Sequence, residues 1–220
     1  MTTTAVLFDM DGVLVDSAPL HVRAYEQVFR EAGIEFSAAA QVAVRQGKPR
    51  SEVIEIGAPE ASLAIKQELF DAKPTAVAGL LENWQDVSMP GATRTVRALA
   101  ESGVPMGVVT NSSTPEIWLE AAGVLEQMKV LVSRDDVSSA KPSPEGYLLA
   151  AKRLNVSPAE CVVFEDSHDG WLAATGAGMR AVIIAATRPT WAEAHVELMP
   201  DLDGAKVLAL CLRTQEEERA

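Results

Sequence analysis

The sequence predicts an α/β protein, a Rossmann-like, doubly wound parallel sheet interrupted by an all-helical insert, and three observations predict it. The apolar run Ala5-Val6-Leu7-Phe8 ends in Asp9-Met10-Asp11-Gly12, which reads as a buried strand delivering two carboxylates into the loop at its carboxyl end. Residues 17–87 show no strand pattern and are rich in Ala, Val, Leu and Ile at helical spacing. From Met89-Pro90-Gly91 onward, helical and strand patterns alternate, as a parallel sheet covered on both faces requires. The expected domains are therefore 1–16 with 88–220 as the α/β core and 17–87 as the helical insert.

The elements follow in order. Ser17-Ala18-Pro19 opens a helix with Leu20, Ala24, Val28 and Phe29 on one face, and Gly33 closes it. Pro49, Pro59 and Pro74 each suit the first turn of a new helix, which predicts that they divide the insert into short helical pieces. In the second half a helix over 92–101 leads to a strand over 104–109 that ends in Thr110-Asn111-Ser112. Thr114-Pro115 starts a helix ending near Gly123, and Val130 to Val132 is a short strand. Ser143-Pro144 opens a helix through Leu154, and Ser157-Pro158-Ala159-Glu160 has capping-box spacing just before the strand Cys161 to Phe164. A helix from about Asp169, a strand over 181–184, a helix opened by Thr190-Trp191-Ala192-Glu193 and a polar tail complete the chain.

Composition narrows the function. With 220 residues, 48% of them hydrophobic and 23% charged, the chain can bury a real core. A formal charge of -12 argues against nucleic acid or an anionic membrane as partner, since both call for an extensive basic surface. Cys161 and Cys211 lack metal-ligand spacing, and Cys161 reads as a buried thiol. The start Met1-Thr2-Thr3-Thr4 carries no basic signal region and no apolar run reaches a membrane span, so a cytoplasmic protein, monomeric or weakly dimeric, is expected.

In an open α/β sheet the ligand crevice lies beyond the carboxyl ends of the strands, and this rule gathers the chemistry. Asp9 and Asp11, Thr110-Asn111-Ser112 and Glu165-Asp166-Ser167 each follow a strand, and Lys141 sits in the proline-held loop Ala140-Lys141-Pro142-Ser143-Pro144. Two carboxylates as close as Asp9 and Asp11 repel, so either one is protonated or a hard divalent ion such as Mg2+ neutralises them. Read alone, the motif is a carboxylate metal site with a possible nucleophile or an acidic turn after a strand; Thr110 is a phosphate ligand or a helix cap, and Lys141 a phosphate ligand or a solvated loop lysine.

Taken together, these motifs resemble the haloacid dehalogenase superfamily of phosphohydrolases. Phe8-Asp9-Met10-Asp11-Gly12-Val13-Leu14-Val15-Asp16-Ser17 is similar to its first motif, Val108-Val109-Thr110-Asn111 to the second, Lys141-Pro142-Ser143-Pro144 to the third, and Phe164-Glu165-Asp166-Ser167 with Gly170 to the fourth. The helical insert after the first motif resembles the cap found in beta-phosphoglucomutase and phosphoglycolate phosphatase-like enzymes. The resemblance implies Asp9 as nucleophile, Asp11 as general acid and base, and Thr110, Asn111 and Lys141 as phosphate ligands. It further implies Mg2+ held by Asp9, Asp11 and Asp166, with Glu165 acting through water. Asp169 falls one position short of the variant fourth motif and is expected to face solvent, as is His168, whereas Trp171 is expected to pack in the core.

The substrate is expected to be a small phosphorylated metabolite, a sugar phosphate, hydrolysed through an aspartyl-phosphate. His21, Lys48, Arg50 and Lys73 resemble substrate-facing cap positions, the alternative for Lys48 and Arg50 being an ordinary solvated helix start. Pro49 departs from the mutase pattern, and the Thr110-Asn111 pair resembles the phosphatases. A sugar phosphomutase is the first alternative; a dehalogenase or a non-catalytic phosphate-binding protein would dispense with acids or with the lysine that this chain retains.

Overall fold

The computed structural model describes residues 5–84 and 86–216; the Met1 to Thr4 start and the last residues of the polar tail lie outside it. Six strands, β1 (Ala5–Phe8), β2 (Met106–Val109), β3 (Val130–Val132), β4 (Cys161–Glu165), β5 (Arg180–Ile184) and β6 (Glu197–Met199), form one sheet in the order β3-β2-β1-β4-β5-β6. Every neighbouring pair is parallel. Helices cover such a sheet on both faces, which is why β1, β2 and β4 up to its final Glu165 are apolar without alternation, and all three are buried along their whole length. The chain runs outward from β1 through β2 to β3, then returns to the other side of β1 as β4. That reversal is the topological switch point at which open α/β sheets leave a crevice. Phe8 stands opposite Val108 on one side and Phe164 on the other, so Asp9, Thr110 and Glu165 emerge at neighbouring strand ends.

The chain divides into two compact units, Met1–Asp16 with Val87–Ala220 and Ser17–Asp86. The first boundary is as read from the sequence, and the second falls one residue earlier. Val87 is buried, and its carbonyl accepts from Asp16 N at 2.8 Å within the sheet unit. This unit carries α5 to α9: α5 (Ala92–Glu101), α6 (Pro115–Ala121), α7 (Glu145–Leu154), α8 (His168–Gly176) and α9 (Gly204–Glu216). The second unit is entirely helical among the described residues: α1 (Ala18–Glu31), α2 (Ala38–Arg45), α3 (Arg50–Gly57) and α4 (Leu63–Leu81). Tyr25, Phe29 and Phe36 form its aromatic centre, with ring centroids 4.9 to 6.3 Å apart. No helix among the described residues is long and apolar enough to cross a membrane.

Four expectations are corrected. Pro49 does directly precede α3, but Pro59 lies in a turn, and Ser62 begins α4 by accepting from Ile65 N at 3.4 Å. Pro74 does not start a helix; it sits inside α4. No helix forms at Thr190. One terminal nitrogen of Arg188 donates to the carbonyls of Ala192, Glu193 and Val196 at 3.3, 2.6 and 3.3 Å, and the chain wraps on this guanidinium with only single-turn amide bonds of its own, Ala192 N to Pro189 O and Val196 N to Glu193 O at 3.0 Å. The segment continues instead into β6, which Arg180 ties to β5 through two bonds of 3.0 Å to Glu197, and the stretch read as a polar tail contains α9.

This loop yields a prediction. Arg188→Ala should lower stability by about 1–2 kcal/mol in urea melts, and Arg188→Lys should recover only part of it, since an ammonium lacks the planar reach. Wild-type stability in both variants would contradict this account of the loop.

Candidate active site

Asp9 continues β1 past its last apolar residue, and its amide donates to Phe164 O at 2.9 Å, which holds its register against β4. The loop then folds back sharply. Leu14 N and Val15 N both donate to Met10 O at 2.9 Å, and Gly12 N donates to Val15 O at 2.8 Å. Gly12 has φ +78, and a Cβ there would stand 2.1 Å from Asp166 Oδ2. Only glycine lets the loop carrying Asp11 lie this close to the acid that follows β4.

Lys141 joins the two strand ends. Its Nζ donates to Asp9 Oδ1 and, at 2.6 Å, to Glu165 Oε1. Glu165 is fully buried and surrounded by donors: Tyr147 OH at 2.7 Å on Oε1, then Asp166 N, Ser167 Oγ and Ser167 N at 3.1, 3.1 and 3.4 Å on Oε2. It lies against Gly170 of α8, where a Cβ would come within 1.9 Å of the carboxyl carbon. Asn111 Oδ1 accepts from Lys141 N at 3.2 Å and so fixes the lysine loop, in which the Lys141-Pro142 bond is cis. Thr110 is buried; its amide is held by Val132 O at 2.9 Å, and its hydroxyl accepts from Ser112 N at 3.0 Å.

The electrostatics are unbalanced toward negative charge. Burial pushes the Asp9 carboxyl well above the usual carboxylate range, against the pull of Lys141, and Glu165, Asp166 and Asp11 push it the same way. The Asp166 residue is exposed as a whole, yet its carboxyl is raised to about 7 by its own burial and by Glu165 and Asp11, with Lys141 opposing. Burial lowers Lys141, but the carboxylates of Asp9 and Glu165 outweigh it and hold the ammonium charged above its ordinary range. One lysine therefore faces four acids. Asp9, Glu165 and Asp166 each offer a carboxylate oxygen, all within 4.8 Å of one another. Hard oxygen donors under-neutralised at this spacing fit a hard divalent cation.

The sequence candidates separate into two groups. Asp9, Thr110, Asn111, Lys141, Glu165 and Asp166 lie at adjoining strand ends of the sheet unit, with Asp11 on the loop after β1. Within the helical unit, Lys73 Nζ lies 2.9 Å from His21 Nδ1 and 5.4 Å from the Tyr25 ring centre. Burial, then the charges of Lys73 and Arg50, push His21 down to about 3, so its ring is neutral near pH 7. Arg50 donates to Phe70 O at 3.0 Å, and Lys48, two residues before α3, pairs with Glu52 of that helix at 2.7 Å. Asp169 and His168 are exposed, and Trp171 is partly buried among Trp191, His168 and His195. Sequence reading did not single out Tyr147 or Tyr25, and it named Ser167 only as part of the fourth motif. Tyr147 had one usable signal, a tyrosine on the inward face of the helix that the lysine loop opens.

The family model of haloacid dehalogenase-like hydrolases matches residues 3–178. The validoxylamine A 7'-phosphate phosphatase of Streptomyces hygroscopicus subsp. limoneus is 34% identical over 197 residues, covering 88% of this chain and 91% of that one. The fructose-1-phosphate phosphatase YqaB of Escherichia coli is 29% identical over 191 residues, 80% and 94% of the two chains. Among solved structures, CbbY from Rhodobacter sphaeroides in complex with phosphate superposes with a TM-score of 0.74 at 28% identity over 91% of this chain and 95% of its own. With its first strand, its lysine loop and its acid pair all inside the matched span, the chain belongs to the haloacid dehalogenase-like hydrolases.

Proposed function

We propose that the protein is a Mg2+-dependent phosphatase that hydrolyses a small phosphomonoester, a sugar phosphate, through a phosphoryl group carried on Asp9. The observation that carries this reading is the Asp9 carboxylate pinned on one oxygen by Lys141, with Asp166 beside it. The phosphatase names of its relatives support hydrolysis, and the name of the Escherichia coli relative supports a sugar phosphate.

On this reading Asp9, Asp166 and the Asp11 main chain hold the ion, with Glu165 behind them. Bound there, Mg2+ would neutralise the acids and the incoming phosphoryl oxygens. The chain's own residues do the rest. Lys141 and the Thr110-Asn111 turn hold the phosphoryl oxygens as negative charge builds on them. The free oxygen of Asp9 attacks phosphorus, the ester P–O bond breaks, and the Asp11 carboxyl gives its proton to the departing alkoxide. Asp11, now a carboxylate, takes a proton from the water that attacks the same phosphorus; the bond to Asp9 breaks, and phosphate leaves with Asp9 restored. Glu165 touches neither substrate nor product: it positions Lys141 and anchors the turn before α8. In the helical unit His21, Lys48, Arg50 and Lys73 select the part of the substrate that does not react.

Asp9→Asn should reduce phosphate release from fructose 1-phosphate, followed by phosphorus NMR with Mg2+, by about 10⁴-fold or more while the melting temperature is kept. Release within about tenfold of wild type would sink the nucleophile assignment.

A second expectation concerns pH. The Asp166 pKa is raised to about 7 from an ordinary 3.8, so between these values the metal-free folded state binds more protons than the unfolded one and loses stability as pH rises. A divalent ion competes with those protons. Added Mg2+ should therefore raise the melting temperature more at about pH 7.5 than at about pH 5. An equal shift at both, or none, would contradict the metal assignment.

A further inference from the structure

Pro74 lies in the interior of α4, where proline removes an amide hydrogen that the helix would otherwise use. The carbonyl that this amide would reach is four residues earlier, at Phe70. Arg50 Nη1 donates to that same Phe70 carbonyl at 3.0 Å, and its guanidinium carbon lies 4.5 Å from the centre of the Phe70 ring. The proline and the arginine are thus two halves of one arrangement: α4 withholds a donor, and α3 supplies another. A guanidinium has five N–H donors, so the bond to Phe70 O and the stacking fix its plane while leaving most of the fork for other acceptors. Its field reaches His21 and Tyr25, and Lys73, the residue before the proline, lies against both of those rings. Cationic groups are gathered here around a histidine that carries no charge of its own near pH 7.

We propose that Pro74 is the positioning residue for Arg50: by denying the Phe70 carbonyl its helical donor, it reserves that oxygen for the guanidinium and holds a fork of cationic donors in place for an anionic group of the ligand. The proposal rests on the reading of the helical unit as the substrate-selecting part of a phosphatase, and it goes beyond that reading by naming the residue that sets the arginine.

The test is a double-substitution cycle on the full chain. Pro74→Ala restores an amide hydrogen four residues after Phe70 and should leave the melting temperature at or above wild type. Arg50→Ala should lower the melting temperature in the wild-type background and by less than half as much in the Pro74→Ala background. Equal losses in both backgrounds would overturn the proposal. Pro74→Leu, which also restores the amide, serves as the second variant should the first perturb the helix.

Ligand binding is read by calorimetry in an Asp9→Asn background, with fructose 1,6-bisphosphate and inorganic phosphate as the two probes. Pro74→Ala and Arg50→Ala should each weaken the bisphosphate by about tenfold, the scale of one charged hydrogen bond, without changing the affinity for inorganic phosphate. Unchanged bisphosphate affinity in Pro74→Ala would overturn the positioning role. Neither measurement uses turnover, so failure of the phosphatase reading would show in phosphate release and stay distinct from failure of this one.

Discussion

Lys141 between Asp9 and Glu165 is the interaction on which the rest of the site depends. Two acids at adjacent strand ends, joined by a third from the neighbouring turn, would repel in a buried setting. The lysine makes their approach tolerable by donating to both. Its position is in turn set from two sides, by Asn111 on its backbone and by Tyr147, whose hydroxyl shares the Glu165 oxygen that the ammonium uses. The glycines at 12 and 170 complete the frame by letting a loop and a helix close on carboxylates where any side chain would collide. What remains is an excess of negative charge on one edge of the cluster. On the proposed reading that excess is the reason for the cation, and it couples stability to pH and metal.

The sheet and most of this site were legible because their signals are local. Four-residue apolar runs bounded by acids, glycines and prolines have few alternative readings, and the parallel sheet then dictates where their carboxyl ends meet. Tyr147 offered only its place on the inward face of its helix, and a buried tyrosine there is an ordinary core residue until its hydroxyl is seen on Glu165. The missed elements share a cause of another kind. Pro74 reads as a helix start because its cost inside a helix is read without knowing that Arg50 lies twenty-four residues earlier in the chain to offset it. Thr190 reads as a helix start for the same reason, the carbonyls beyond it being taken by Arg188. In both places a guanidinium replaces a backbone donor, and no periodicity records that.

The two units use their charges differently. In the sheet unit acids outnumber the lysine that binds them, and the geometry is held by donors on both carboxylate oxygens of Glu165. In the helical unit basic groups gather around aromatic rings, with His21 kept neutral by burial and by Lys73. Lys48, which precedes α3 and pairs with Glu52 inside it, is well exposed, so this ion pair adds little stability. On the proposed reading the phosphoryl chemistry belongs to the sheet unit and substrate selection to the helical unit.

The account stands most directly on where the phosphoryl group goes. Mixing the protein with Mg2+ and fructose 1-phosphate, quenching in acid within the first turnover and mapping the peptides by mass spectrometry would locate it. The account predicts a phosphoryl group on the peptide containing Asp9, sensitive to hydroxylamine as an acyl phosphate must be and absent in Asp9→Asn. Phosphate released at full rate with no phosphorylated peptide, or with the label on any residue other than Asp9, would contradict it.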